Sequence, residues 1–133
     1  MIRSGLDLDQ AHLFWYIPIM PNERILQVVF YRTTHGVEPV RDWLRAQSQE
    51  DKKRLGEDIK TVQFAWPLGM PLVRKLSPTI WEIRSALRGR IARILFTVRQ
   101  DTIILVHAFI KKSQKTPQED MELALRREAT LAR

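Results

Sequence analysis

Hydrophobic residues recur along this chain first with a period near 3.6 and then with a period of 2, and the change falls at Pro67-Leu68-Gly69. Before it, Gln27 to Arg32 (QVVFYR) is a β-branched and aromatic run ended by His35-Gly36, which predicts a strand. Pro39 then suits a first helical position, and Val40, Trp43 and Leu44 repeat at helical spacing. Ser48, with Asp51 three residues on, predicts the N-cap of a second helix whose apolar face is Leu55, Ile59, Val62 and Trp66 and which Pro67 ends. The two helices make a hairpin with one apolar side, to be laid on a sheet within a single domain.

From Ile80 to Val98 the pattern alternates. Trp81, Ile83 and Ser85 interleave with Glu82, Arg84 and Ala86, then Arg88-Gly89 interrupts, then alternation resumes from Arg90. A two-residue loop fits, with Gly89 supplying the positive φ that a type I′ turn needs. Leu87 then faces Arg90, Ile83 faces Ile94, and Arg84 faces Arg93. Trp81, Ile83, Ala92, Ile94 and Phe96 point to the helices, while Glu82, Arg84 and Arg93 point outward. A one-residue slip would bury an arginine beside Ile83.

Thr102 to Ile110 (TIILVHAFI) is almost continuously apolar and predicts a central strand. With a turn at Gln100-Asp101, His107 falls on the core face with Ile94, which favours a satisfied core histidine while leaving it a candidate for chemistry. Thr116 as N-cap, Pro117, the acids Glu119 and Asp120, and the stripe Met121, Ala124, Leu125 predict a last helix.

Charge adds an asymmetry to this pattern. The chain of 133 residues carries a formal charge of +7, yet its first seventy residues are neutral and the whole excess follows Met70. Between Leu72 and Thr116 ten basic residues face only Glu82 and Asp101. A field of that sign suits polyanions, because each neutralised phosphate releases counterions. Two arginines set directly opposite cost some tenths to about 1 kcal/mol, and nothing structural asks for them. They read either as a phosphate-binding centre, for which guanidinium is well suited, or as a solvated face screened by Glu82. The segment Lys111 to Thr116 (KKSQKT) reads either as a backbone-holding loop or as an ordinary polar one.

Composition excludes much else. There is no cysteine, hence no disulfide scaffold, thiolate nucleophile or sulfur-ligated zinc, and three scattered histidines offer little to a metal. No Gly-rich phosphate loop, GxSxG, HExxH or acidic metal cluster occurs. No apolar run reaches the roughly 18 to 20 residues of a membrane span, and residues 11–20 lack the marks of a signal peptide. The expectation is a cytoplasmic protein with no cofactor, no metal and no membrane partner.

Several stretches in order, EPVRDWL (Glu38 to Leu44), GEDIKTVQFAWPLGMPLVRKL (Gly56 to Leu76), WEIRS (Trp81 to Ser85), GRIARILFTV (Gly89 to Val98) and HAFIKKSQKTP (His107 to Pro117), resemble the RelE/ParE superfamily of toxin-antitoxin toxins, and most closely its phage-derived, HigB-like branch. The resemblance implies an α+β fold: an N-terminal helical hairpin packed on a small, mainly antiparallel β-sheet, with a C-terminal helix. It places a single toxin domain at residues 23–133, after an extension at residues 1–22 that has no counterpart in the family.

It also implies an activity, metal-independent cleavage of messenger RNA on the ribosome, held in check by a helix-turn-helix antitoxin. By motif the catalytic cations fall on Arg84, Arg93 and Lys112, or Lys111 in its place, with His107 and Glu82 as the nearby proton-transfer candidates and Arg74, Lys75, Arg90, Lys111 and Lys115 as RNA or phosphate ligands. One departure matters: some HigB-like sequences carry Tyr just before the basic loop, where this chain has Ile110. That keeps open a non-enzymatic alternative, a ParE-like poison of DNA gyrase, and a third, a degenerate member retained as a regulatory partner.

Overall fold

The structure is a computed structural model, and it describes residues 3–4, 25–111 and 116–131. Along the chain run β1 (Arg3–Ser4), β2 (Gln27–Phe30), α1 (Pro39–Arg45), α2 (Gln49–Ala65), β3 (Val73–Lys75), β4 (Trp81–Leu87), β5 (Arg90–Arg99), β6 (Thr102–Ile110) and α3 (Gln118–Ala129). The strands form one sheet in the order β1-β2-β6-β5-β4-β3. β2 lies parallel to β6 and every other neighbouring pair is antiparallel.

This corrects the expected fold class. The helices are not an N-terminal hairpin but lie mid-chain, between β2 and β3, and the sheet is mixed because β2 lies parallel to β6, from which the two helices and three strands separate it along the chain. The expected extension at residues 1–22 falls outside the described residues, apart from Arg3–Ser4, whose backbone pairs with Val29 and Phe30.

Local signals account for most boundaries. The Ser48 hydroxyl accepts from the Asp51 backbone N–H at 3.1 Å and so starts α2. Trp66 leaves helical geometry ahead of Pro67, which stops it. The β4–β5 register is the one that the alternation requires, Leu87 on Arg90, Ile83 on Ile94 and Arg84 on Arg93, with Gly89 at φ +70° in the loop.

The sheet has two covered faces. On one, α1 and α2 press Val40, Leu44, Leu55, Ile59 and Val62 onto Val28, Phe30, Ile83, Ala92, Ile94, Phe96, Ile103 and Leu105. Trp66 closes its end, edge-on to Trp81 and Phe96 with ring centroids at 5.2 and 5.5 Å, a geometry worth about 0.5–1.5 kcal/mol beyond burial. On the other face α3 packs Ala124 and Met121, with Leu131 beyond its end, over Val29, Ile80, Leu95, Ile104 and Val106. β6 is buried on both faces, as its continuous apolar run predicts.

β6 carries one irregularity with large consequences. Leu95 pairs with His107 but Phe96 pairs with Leu105, so Val106 is an extra residue, a β-bulge. Its carbonyl, displaced from the ladder, accepts from Arg127 Nη1 of α3 at 2.7 Å. Val106 and His107 therefore both point to the α3 face. His107 does not lie with Ile94 in the core as the unbroken alternation predicts; Ile94 pairs with Ala108.

Candidate phosphate-binding site

Cross-strand neighbours in an antiparallel sheet share a face, so the α3 face can be assembled row by row. Arg74, Glu82, Leu95 and His107 form one row from β3 to β6. Arg84, Arg93 and Phe109 form the next, and beyond it the Lys111 backbone N–H bonds the Ile91 carbonyl at 2.7 Å. α3 covers the middle of this face and leaves the β4–β5 hairpin end uncovered, where Ala86 and Arg88 are exposed and Arg84, Ile91 and Lys111 are half-buried.

The outward placement of all three charged residues needs correction. Arg84 is half-buried, but Glu82 and Arg93 are 0% exposed. Arg93 Nη1 donates to Glu82 Oε2 at 3.1 Å and to Thr116 Oγ1 at 2.8 Å, and the Thr116 hydroxyl donates in turn to the same Glu82 oxygen at 2.8 Å. Three groups thus close a ring around one carboxylate oxygen. The other oxygen, Glu82 Oε1, is buried without a partner. Thr116 is not the N-cap of α3: Pro117 holds that position without a side-chain hydrogen bond. Its hydroxyl serves the ion pair instead.

Electrostatics knit these rows into one cluster. Burial lowers the Arg93 guanidinium below its ordinary range; Glu82 opposes this, and Arg84 and Arg74 add repulsion. The Lys111 ammonium is also lowered, first by loss of hydration against the protein and then by Arg93, Arg84 and Arg74, with Glu82 again opposing. Four cations therefore feel one another across a single carboxylate. Such a cluster is short of negative charge and would gain from a polyanion.

His107 stands in the row beside this cluster. Its Nε2 lies 2.6 Å from Asp120 Oδ1 in the first turn of α3, and its ring stacks on Phe109 with centroids 5.4 Å apart. The other sequence candidates lie elsewhere. Arg90 reaches across to Asp51 of α2 at 2.5 Å, and Lys75 sits over the Trp81 ring, 5.2 Å from its centroid. Both therefore lean to the α1–α2 side. Lys112 and Lys115 lie outside the described residues. Sequence reasoning missed the part played by Thr116 and by Asp120, because each had an adequate local explanation at a helix start.

Among the described residues no group of three or more His, Asp or Glu side chains converges as metal ligands would. An open cavity of about 290 Å³ between Arg32 and Asp42 shares no residue with the cluster. No helix among the described residues is long and apolar enough to cross a membrane.

The cluster spans β3 to the start of α3. A family model described as "Phage derived protein Gp49-like (DUF891)" matches residues 42–129, which hold every described member of the cluster. The chain belongs to this Gp49-like family. Its members are RelE/toxin-like proteins, often the toxins of toxin-antitoxin systems. No curated protein matches the chain. In this Gp49-like chain the mid-chain helices cover one face of the sheet, and the cationic cluster lies on the opposite face.

Proposed function

We propose that this Gp49-like protein is the toxin of a type II toxin-antitoxin pair, of the HigB-like kind, and that it cuts messenger RNA on the ribosome without a metal. The observation that carries the reading is the convergence of Arg74, Arg84, Arg93 and Lys111 around the buried Glu82, beside the uncovered end of the sheet. RNA cleavage by the neighbouring 2′-hydroxyl builds negative charge on a pentavalent phosphorus, and preorganised cations stabilise that charge more than they stabilise the starting diester.

In this reading the half-buried Arg84, Arg74 and Lys111 contact phosphate. Arg93 stands behind them, its charge matched by Glu82, and keeps Arg84 turned outward by repulsion. Proton transfer falls to His107, the imidazole nearest the cluster by row, oriented by Asp120. Lys112 would add a further cation to the site. A helix-turn-helix antitoxin would neutralise the protein by occupying the same basic face.

The engagement of both proton-transfer candidates, Glu82 with Arg93 and Thr116 and His107 with Asp120, favours a second reading, a ParE-like binder of DNA gyrase. One experiment separates the two. The wild type and an Arg84→Ala, Lys111→Ala variant are induced in cells and the 5′ ends of transcripts are mapped. New 5′ ends in the wild type that vanish in the variant support the nuclease. Growth arrest with DNA damage and intact transcripts overturns it.

A further inference from the structure

We infer that Thr116 is a positioning residue of this site: its hydroxyl fixes the Arg93 guanidinium against Glu82 and thereby sets the cationic row in which Arg84 meets phosphate. The inference rests on the nuclease reading for its kinetic consequence, and on the geometry alone for the hold on Arg93.

Three observations carry it. First, Thr116, outside the strands, bonds both members of the buried pair: it accepts from Arg93 and donates to Glu82, both at 2.8 Å, which are shorter contacts than the 3.1 Å between the two charges themselves. The hydroxyl thus ties the pair together more closely than the pair is tied by its own contact. Second, the use is at the expense of α3, which starts at Pro117 with no side-chain cap, although a Thr at a helix start ordinarily serves there. A hydroxyl diverted from a stabilising local role marks a place where local and global demands differ, and such places cluster at functional sites. Third, Glu82 keeps a buried oxygen without a partner, a cost that a purely structural pair has no reason to retain.

The other buried polar contacts do not share this character. Asp58 with Ser85, and Gln63 with the Leu26 carbonyl, sit on the α2 side and join helix to sheet. The Thr116 contacts lie instead on the α3 face and reach Arg93, the strand residue paired with Arg84 and Phe109.

Rotation of Arg93 away from Glu82 would bring a second guanidinium toward Arg84 and displace it. Catalytic groups lose rate steeply when misplaced by an ångström or less. The substrate's remaining phosphates, held by the other cations, would still bind. Thr116→Val removes the hydroxyl at nearly constant shape and Thr116→Ser restores it.

The test uses the full chain and ribosomes programmed with a messenger RNA. At saturating protein, Thr116→Val is expected to slow the cleavage step by about ten- to hundredfold, with the half-saturating concentration unchanged and Thr116→Ser close to wild type. Cleavage by Thr116→Val at the wild-type rate overturns the inference, as does a Thr116→Ser variant as slow as Thr116→Val, or a defect confined to subsaturating protein. A second readout needs no activity: the Arg93 guanidinium N–H signals in isotope-labelled free protein. They are expected to be sharp and protected in the wild type and Thr116→Ser, and broadened in Thr116→Val. Unchanged signals in Thr116→Val overturn the hold on Arg93. If the wild type cuts no RNA, the nuclease reading fails by itself, and these signals still decide the role of Thr116.

Discussion

Removing the Glu82 carboxylate probes the centre of the site most directly. Glu82 and Arg93 are both 0% exposed, so Glu82→Ala strands a guanidinium in the sheet and takes away the acceptor that Thr116 also uses. Breaking a buried pair by deleting one partner costs about 3–5 kcal/mol, whereas an exposed pair is worth 1 kcal/mol or less. Stability of a domain this size is about 5–15 kcal/mol in total, so Glu82→Ala should remove a large part of it. At about 4 °C per kcal/mol, the thermal midpoint should fall by about 12–20 °C. Urea denaturation of the wild type, Glu82→Ala, Arg93→Met and the double variant gives the coupling. The double variant should recover most of the loss, because replacing a whole buried pair by apolar groups is often close to neutral. A Glu82→Ala cost under about 1 kcal/mol, the value of a surface pair, would refute the buried-pair reasoning, and so would a double variant whose loss is the sum of the singles.

Lys111→Gln should leave stability at neutral pH unchanged or slightly raised: the folded-state ammonium is held below its ordinary 10.5, so its charge opposes folding at neutral pH and that opposition fades as pH rises toward 10.5. The midpoint of Lys111→Gln should therefore rise less between neutral and alkaline pH than that of the wild type, and its RNA affinity should lose about 0.7 from the slope of log affinity against log salt. Arg90→Ala and Lys75→Ala, whose charges lean toward Asp51 and Trp81, should leave both that slope and cleavage near wild type in the same binding assay. Ser85→Ala should cost about 1–3 kcal/mol in urea, because it leaves the buried Asp58 short of a donor on the opposite face. Arg127→Met should cost a similar 1–3 kcal/mol by stranding the Val106 carbonyl, and a wild-type midpoint would show that water replaces the guanidinium there.

Where the chain's own neighbours decide the structure, the sequence is a good guide. Ser48 and Pro67 bound α2 because a cap and a missing N–H are local effects. Gly89 fixes the β4–β5 register, and with it the facing arginines, because a two-residue loop leaves no freedom in the pairing. The order of helices and strands along the chain is equally plain in the periodicity, which puts the run from Gln27 ahead of the helices; an N-terminal helical hairpin leaves that strand out of account. What pattern does not contain is which edge the returning strand joins. β2 pairs with β6 across more than seventy residues of chain, and an apolar run such as VVF fits a parallel or an antiparallel neighbour equally well.

The site was legible in its residues and not in its depth. Alternation assigns Glu82, Arg84 and Arg93 to one face, and they share it, but a face that alternation calls polar need not be wet. Here a segment beyond the sheet folds back, and Thr116 seals the pair. His107 shows the same limit more sharply. Counting by twos from the turn at Gln100-Asp101 puts it with Ile94, and one extra residue at Val106 moves it to the other face. Nothing in TIILVHAFI marks the bulge, since no glycine or proline interrupts the run. Its partners lie in α3, where Arg127 takes the displaced carbonyl and Asp120 takes the imidazole. The last helix therefore does more than cover Leu95 and Ile104: by holding the bulge, it delivers the one histidine of β6 to the same face as the cations. Loosening α3 should consequently act on the site through His107 and, by way of Thr116 just ahead of the helix, on the Arg93 side chain, while the backbone register of the arginines is set by the tight turn at Gly89.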